Sequence, residues 1–240
     1  MITGKYCFVQ FSENISGCEI PIPVKNLSDV RFFIDESITQ LNIDIVDVSG
    51  AMLREFVHSF NYFATGLDLA EYMAPEDCFR LRLINIDTQE IYFSNVFMYL
   101  PDTEFPLIEY WCDKPEFDFP YEEGKPNRIR IPAALEQPSW VDEDEKYTDS
   151  NGRTRILYKE ARKKYIFKTD YLPYNWHDKI KIIFMHDLVT IDSKEYDEVG
   201  TYSLGDEIIE LGSDWECGPD HAVMGETEVA ENSIERNTNC

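Results

Sequence analysis

Four histidines, six cysteines and 46 acidic residues are the groups through which this chain could do chemistry. His177-Asp178 and His186-Asp187 have the look of a metal-dependent phosphohydrolase pair. Nine residues along a helix amount to about 900° of rotation, which sets the two imidazoles on opposite faces. Such a site also needs an all-helical scaffold, and this chain reads as strand, so both histidines are expected as polar helix-end residues. Asp142-Glu-Asp-Glu145 offers calcium the hard oxygen ligands it favours. The run lacks the alternating acids and central glycine of an EF-hand loop, so it reads as a solvated charge run. The cysteines, at 7, 18, 78, 112, 217 and 240, form no C-x-x-C pair, which removes zinc-ribbon and thioredoxin-type spacings. No phosphate-binding glycine loop, nucleophile elbow or H-E-x-x-H motif occurs, and Gly200-Thr-Tyr-Ser-Leu-Gly205 has the wrong offset for an elbow. A glycosidase needs two carboxylates at a set separation, and 46 acids nominate no particular pair. The expectation is a non-enzymatic protein with no catalytic residue, cofactor or metal site.

The elements that would position these groups are mostly strands. Lys5–Phe11 is aromatic and β-branched. Gly17–Val24 alternates Ile20, Ile22 and Val24 with prolines, as an edge strand or extended arm does. Leu41–Ile45 and Cys78–Ile86 show period-2 alternation, and Glu90–Leu100 and Leu107–Cys112 add two more strands. Ala51–Phe63 fits either helix or strand. Tyr165–Thr169 reads as a strand. Pro173 then suits a helix start, and Trp176, Ile180 and Ile183 share one helical face. Strands resume at Leu188–Ile191, Lys194–Tyr196 and Ile208–Leu211. Cys7, Cys78 and Cys112 sit in apolar runs, where free thiols acting as small hydrophobes are expected.

Charge is segregated along the chain. Residues 136–149 hold six acids and one base, whereas residues 153–168 hold seven bases and one acid. Asn151-Gly152 between them is a strong hairpin signal, because both residues tolerate positive φ. The expected product is a β-hairpin with an acidic and a basic arm, usable as a docking element through Asn151, Gly152, Arg153, Arg155, Arg162, Lys163 and Lys164. From Ser213 onward the chain carries seven acids and one base. Alone, such a tail is expected to be disordered. It is ordered only by a neighbouring chain, with Trp215 as an anchor, or by lying on its own domain. The fold class that follows is mainly β: a sandwich-like domain over 1–120, a hairpin-and-helix domain over 121–212 and an acidic extended tail over 213–240.

The chain has 240 residues, with apolar residues at 43% and a mean hydropathy of −0.38, which suits a folded protein that buries a core without covalent staples. Its net charge of −24 repels phosphate, so sequence-specific nucleic-acid binding is not expected. No apolar run reaches bilayer length, so no membrane partner is expected, and Met1–Lys5 opens without a secretory signal core.

Two sets of motifs carry a resemblance. The first is Ser94-Asn-Val-Phe97, Leu107-Ile-Glu-Tyr-Trp-Cys112 and Phe117-Asp-Phe-Pro-Tyr121. The second is Ser150-Asn-Gly-Arg153, Lys164-Tyr-Ile-Phe-Lys-Thr-Asp-Tyr-Leu-Pro173 and His177-Asp178. Over about residues 78–192 the chain resembles virion proteins of tailed phages that infect Bacteroidetes, crAss-like phages included. The long acidic C-terminal segment departs from that pattern. The resemblance implies a structural protein of the virion, in a tail or neck ring, made in the bacterial host's cytoplasm. Its implied partners are further copies of itself and other tail or neck proteins, and it carries over no catalytic residue. A rival reading is a carbohydrate-binding β-sandwich of a tail fibre, with Tyr110, Trp111, Trp140 and Trp215 near turns as sugar-stacking candidates.

Overall fold

In the computed structural model, residues 9–13, 20–33, 41–58, 62–63, 68–112, 126–136, 138–210 and 221–231 are described. The protein is mainly β with one α-helix. Its first sheet contains β1 (Phe11–Ser12), β2 (Ile22–Val24), β4 (Leu41–Asp47), β5 (Met52–His58), β7 (Cys78–Asn85), β8 (Ile91–Ser94) and β9 (Phe97–Tyr99), in the order β1-β8-β7-β4-β5, with β9 joining β7 to β2. A separate short ribbon pairs β3 (Phe32–Phe33) with β6 (Tyr62–Phe63). The alternation read in β4 and β7 places Leu41, Ile43 and Ile45 opposite Asn85, Leu83 and Leu81. All of these but Asn85 are at most 2% exposed. Strand β2, the proline-bearing edge, pairs parallel to β9. Pro23 is tolerated there because an edge strand needs fewer backbone donors. The strand expected over Glu90–Leu100 is split at Asn95-Val96, and most of Lys5–Phe11 lies outside the described residues.

The second sheet contains β10 (Leu107–Trp111), β11 (Asn127–Arg130), β12 (Ala133–Leu135), β13 (Ser139–Thr148), β14 (Thr154–Thr169), β15 (Leu172–Pro173), β16 (Leu188–Ile191), β17 (Lys194–Glu198), β18 (Ser203–Glu210) and β19 (His221–Glu231), with the helix α1 (Tyr174–Phe184) between β15 and β16. Sheet membership changes between Tyr99 and Leu107: residues 107–111 pair with β11 and β16, although the sequence reading places them in the first domain. Of the two accounts of the acidic C-terminal segment, the second holds for residues 221–231. Strand β19 is internal, paired with β14 and β15 on one side and with β17 and β18 on the other. Val223, Gly225, Thr227 and Val229 face inward and alternate with Met224, Glu226 and Glu228, so the acids fall on the wetter face. Residues 211–220, Trp215 among them, and 232–240 lie outside the described residues.

One buried apolar cluster runs through both sheets, from Phe11 and Ile43 to Phe167, Ile183 and Val229. Polar clamps reinforce the junction. Asp29 is 4% exposed and accepts from Arg130 Nε at 2.7 Å and from the Lys25 amide at 2.8 Å. Arg130 also donates to the Phe105 carbonyl at 2.7 Å. Glu109 pairs with Arg128, and Arg31 Nη1 lies 3.9 Å from the same carboxylate.

Candidate interaction surface

The Asp149–Arg153 turn shapes the hairpin. The Gly152 amide donates to the Asp149 carbonyl and the Asp149 amide to the Arg153 carbonyl, both at 2.9 Å. The Asp149 carboxylate accepts from the amides of Asn151 at 2.9 Å and Arg153 at 3.0 Å. Only Gly152 takes a positive φ, +74°. The expectation of two left-handed residues is therefore corrected to a three-residue loop whose single left-handed position is the glycine. The β4–β5 turn repeats the device, with Asp47 capping Ser49 and Ala51 and with Gly50 at φ 90°. The Asp47 carboxyl is held below its ordinary range, chiefly by the Ser49 hydroxyl and then by the Ala51 amide.

From this turn, β13 runs antiparallel to β14 from Thr148↔Thr154 to Ser139↔Lys164, with a bulge at Glu145/Lys146. Strand β19 joins β14 only at Lys164–Lys168, and β12 only at Phe167–Thr169. Along Thr154–Lys163 the strand partner among the described residues is β13. The hairpin is a two-stranded arm about 33 Å long at about 3.3 Å per residue.

The register sets few opposite charges directly across the hairpin. Asp144 faces Lys159, but Glu143 faces Glu160, Asp142 faces Ala161 and Glu145 faces Tyr158. At the arm's base the bases turn to other partners. Lys164 pairs with Glu228 of β19, Arg162 Nη1 lies 3.8 Å from Asp197 of β17, and Lys168 Nζ lies 3.6 Å from Glu136. Lys163 sits 5.3 Å from the centroid of the Trp140 ring, a cation–π contact on an indole that is 63% exposed. Of the residues singled out in the sequence, Asn151, Gly152 and Arg153 form the tip and Arg155 lies in β14 beside it. Arg162, Lys163 and Lys164 form the base. The side chains of Arg155 and of Asp142–Glu145 lie outside the described ones.

The other sugar-stacking candidates divide differently. Tyr110 is corrected to a core residue: it is 3% exposed and meets His186 edge to face at 5.0 Å. Trp111 is half-buried, with its indole N–H shielded from solvent and without a hydrogen bond. Trp140 alone presents an exposed ring among the described candidates.

His177 lies in the first turn of α1 and His186 just past its end, as the sequence reading expects, and both are buried. His177 is 3% exposed; its Nε2 faces the carbonyls of Val223 at 2.8 Å and Leu172 at 3.1 Å, and its Nδ1 meets the Tyr202 hydroxyl at 2.6 Å. Carbonyls only accept, so Nε2 carries the proton and Nδ1 accepts from Tyr202. Both ring nitrogens are thus hydrogen-bonded within the protein. Burial holds His177 below its ordinary pKa and pushes the Tyr202 phenol up. Gly225 closes the node: its amide donates to Thr169 Oγ1 at 2.7 Å. This knot fastens α1 to β19, and no spacing in the sequence announces it. His186 is likewise buried, with Nδ1 donating to the Ile182 carbonyl at 2.7 Å. Among the described residues no three His, Cys, Asp or Glu side chains gather as metal ligands. Cys78 and Cys112 are free thiols, and the other four cysteines lie outside the described residues.

These features define a mainly-β chain whose distinctive surface is a charged, projecting hairpin. Compared with protein-family models, curated proteins and solved structures, the chain finds no match.

Proposed function

We propose that this chain is a non-enzymatic structural protein of a phage virion, a ring-forming tail or neck component that contacts further copies of itself and neighbouring tail proteins around a DNA conduit. The observation that carries this reading is the hairpin arm, whose two long strands extend past the sheet that roots them. A lone two-stranded ribbon buries little and is marginal by itself, so such an arm gains most of its order from a partner. The net charge of −24 suits a conduit wall, since like charges let DNA pass without adhering. The motif resemblance over residues 78–192 points the same way. Negative-stain electron microscopy of the purified chain tests the reading. Closed rings of uniform diameter support it; isolated particles at every soluble concentration contradict it.

Trp140 favours a second reading, a carbohydrate-binding module, because an exposed indole beside a lysine can stack on a sugar ring. Saturable glycan binding lost in Trp140→Ala would support that reading.

A further inference from the structure

Asn151-Gly152 is the one Asn-Gly dipeptide in the sequence, and both residues are exposed at the tip of the arm. The Asn151 backbone amide donates to the Asp149 carboxylate at 2.9 Å, whereas the Asn151 carboxamide makes no hydrogen bond among the described residues. Gly152 takes a φ of +74°, and a Cβ added there would meet nothing within 4 Å, so the space beside its amide nitrogen is open. An exposed, unbonded carboxamide followed by a backbone nitrogen that no side chain shields is the arrangement from which a cyclic imide forms.

We propose that Asn151 is a modification site: it deamidates with the Gly152 amide nitrogen as nucleophile, at a rate restrained by the grip of Asp149 on the turn. The Gly152 nitrogen attacks the Asn151 side-chain carbonyl carbon. The new C–N bond closes the imide, and the carboxamide nitrogen leaves as ammonia, carrying away the Gly152 amide proton. Water then opens the ring. Addition at the side-chain carbonyl leaves aspartate, and addition at the main-chain carbonyl leaves isoaspartate, with the chain running through the former side chain. The balance is asparagine plus water to aspartate or isoaspartate plus ammonia, with no oxidant or reductant.

The restraint lies in the same turn. The Gly152 amide donates to the Asp149 carbonyl at 2.9 Å, and the Asp149 carboxylate holds the amides of Asn151 and Arg153 at 2.9 and 3.0 Å. Attack requires the Gly152 nitrogen to turn away from its acceptor, so the reaction proceeds from opened turns. Each hydrogen bond that must part lowers the open population about fivefold. Either product sets a new carboxylate beside Arg153. Isoaspartate also lengthens the main chain by a methylene and displaces the amides that Asp149 caps. The tip thereby acquires, with the age of the molecule, a one-way change of charge and shape, whether or not the arm joins other copies.

The full chain, incubated in mildly alkaline buffer at physiological temperature and digested briefly with trypsin, tests this. Mass spectrometry after liquid chromatography resolves the asparagine, aspartate and isoaspartate forms of the Tyr147–Arg153 peptide. Labelling by isoaspartyl methyltransferase reads the isoaspartate independently. A synthetic peptide of the Lys146–Ile156 sequence supplies the unrestrained rate. Asn151 should convert ahead of every other asparagine, to both products, more slowly than the free peptide, and Asn151→Gln should abolish the label at this site. Asp149→Ala, shown by circular dichroism to keep the wild-type fold, should react about fivefold faster than the wild type, because one restraining bond is lost. Wild type unfolded in urea should reach the peptide's rate, which reads the restraint without a substitution. An Asn151 still intact once the free peptide has converted, or one that reacts behind other asparagines, overturns the site. A folded chain that reacts as fast as the unfolded one, or a folded Asp149→Ala at the wild-type rate, overturns the restraint.

Discussion

Gly225→Ala is the most informative substitution in the body of the protein. A Cβ at this position would lie 2.1 Å from the Tyr202 hydroxyl, 2.7 Å from His177 Nδ1 and 2.7 Å from Tyr202 Cζ. Gly225 is not in the left-handed region, so the cost is steric rather than conformational. The phenol is the far end of its side chain, but Tyr202 is 8% exposed and bonded to His177, so its ring has little room to swing away. Overpacking a filled interior costs about 1–3 kcal/mol. Parting Tyr202 from His177 leaves a buried acceptor unmatched, at about 1–3 kcal/mol more. The expected loss is therefore about 2–6 kcal/mol in urea unfolding monitored by tryptophan fluorescence. Tyr202→Phe removes the atom at 2.1 Å and keeps Cζ, so the double variant should lose less than the sum of the two single losses. A loss below about 1 kcal/mol for Gly225→Ala, or strict additivity with Tyr202→Phe, refutes the node as the fastening of α1 to β19.

Three further outcomes follow from the same geometry. Arg130→Met strands the buried Asp29 carboxylate at the junction of the two sheets and should cost about 3–5 kcal/mol in the same assay; a change within about 0.5 kcal/mol contradicts the clamp. Burial holds both His177 and His186 below their ordinary pKa, outweighing their carbonyl contacts and the nearby Asp178 and Asp187. The unfolded chain then binds protons that the folded chain refuses, so stability is full above about pH 6.5 and falls as pH drops through that value, by up to about 1.4 kcal/mol per pH unit for each histidine. A melting temperature that stays level from pH 7.5 to 5.5 contradicts this. Trp140→Ala removes an exposed ring and a cation–π contact, so it should shift stability by less than about 1 kcal/mol; a larger loss would place Trp140 in the core.

Legibility in the sequence followed the range of the interactions that decide each element. Strands β4 and β7 were readable because Leu41, Ile43, Ile45, Phe79, Leu81 and Leu83 alternate with polar residues along each strand itself. The helix was readable from Trp176, Ile180 and Ile183, which are all buried on one face. Met52–His58 was ambiguous because its own pattern favours neither period, and its pairing with β4 from Val46 to Leu41 settles the matter from outside the segment. Strand β19 was obscured by its acids. Its signal was present in Val223, Gly225, Thr227 and Val229, but small and polar residues make a weak apolar face, and charge dominated the reading. The hairpin was legible in Asn151-Gly152 and in the change of sign. Its register and the use of Arg162 and Lys164 by Asp197 and Glu228 were not, because those acids come from strands far along the chain.

A ring-forming role requires that the arm join copies of this chain. Native mass spectrometry at moderate salt should be run on the full chain and on a variant in which residues 142–161 are replaced by Asn-Gly, closing Val141 onto its cross-strand neighbour Arg162. The full chain should give a closed oligomer of one size and the shortened chain a folded monomer. A monomeric full chain, or an unchanged oligomer after the arm is removed, would contradict the central claim.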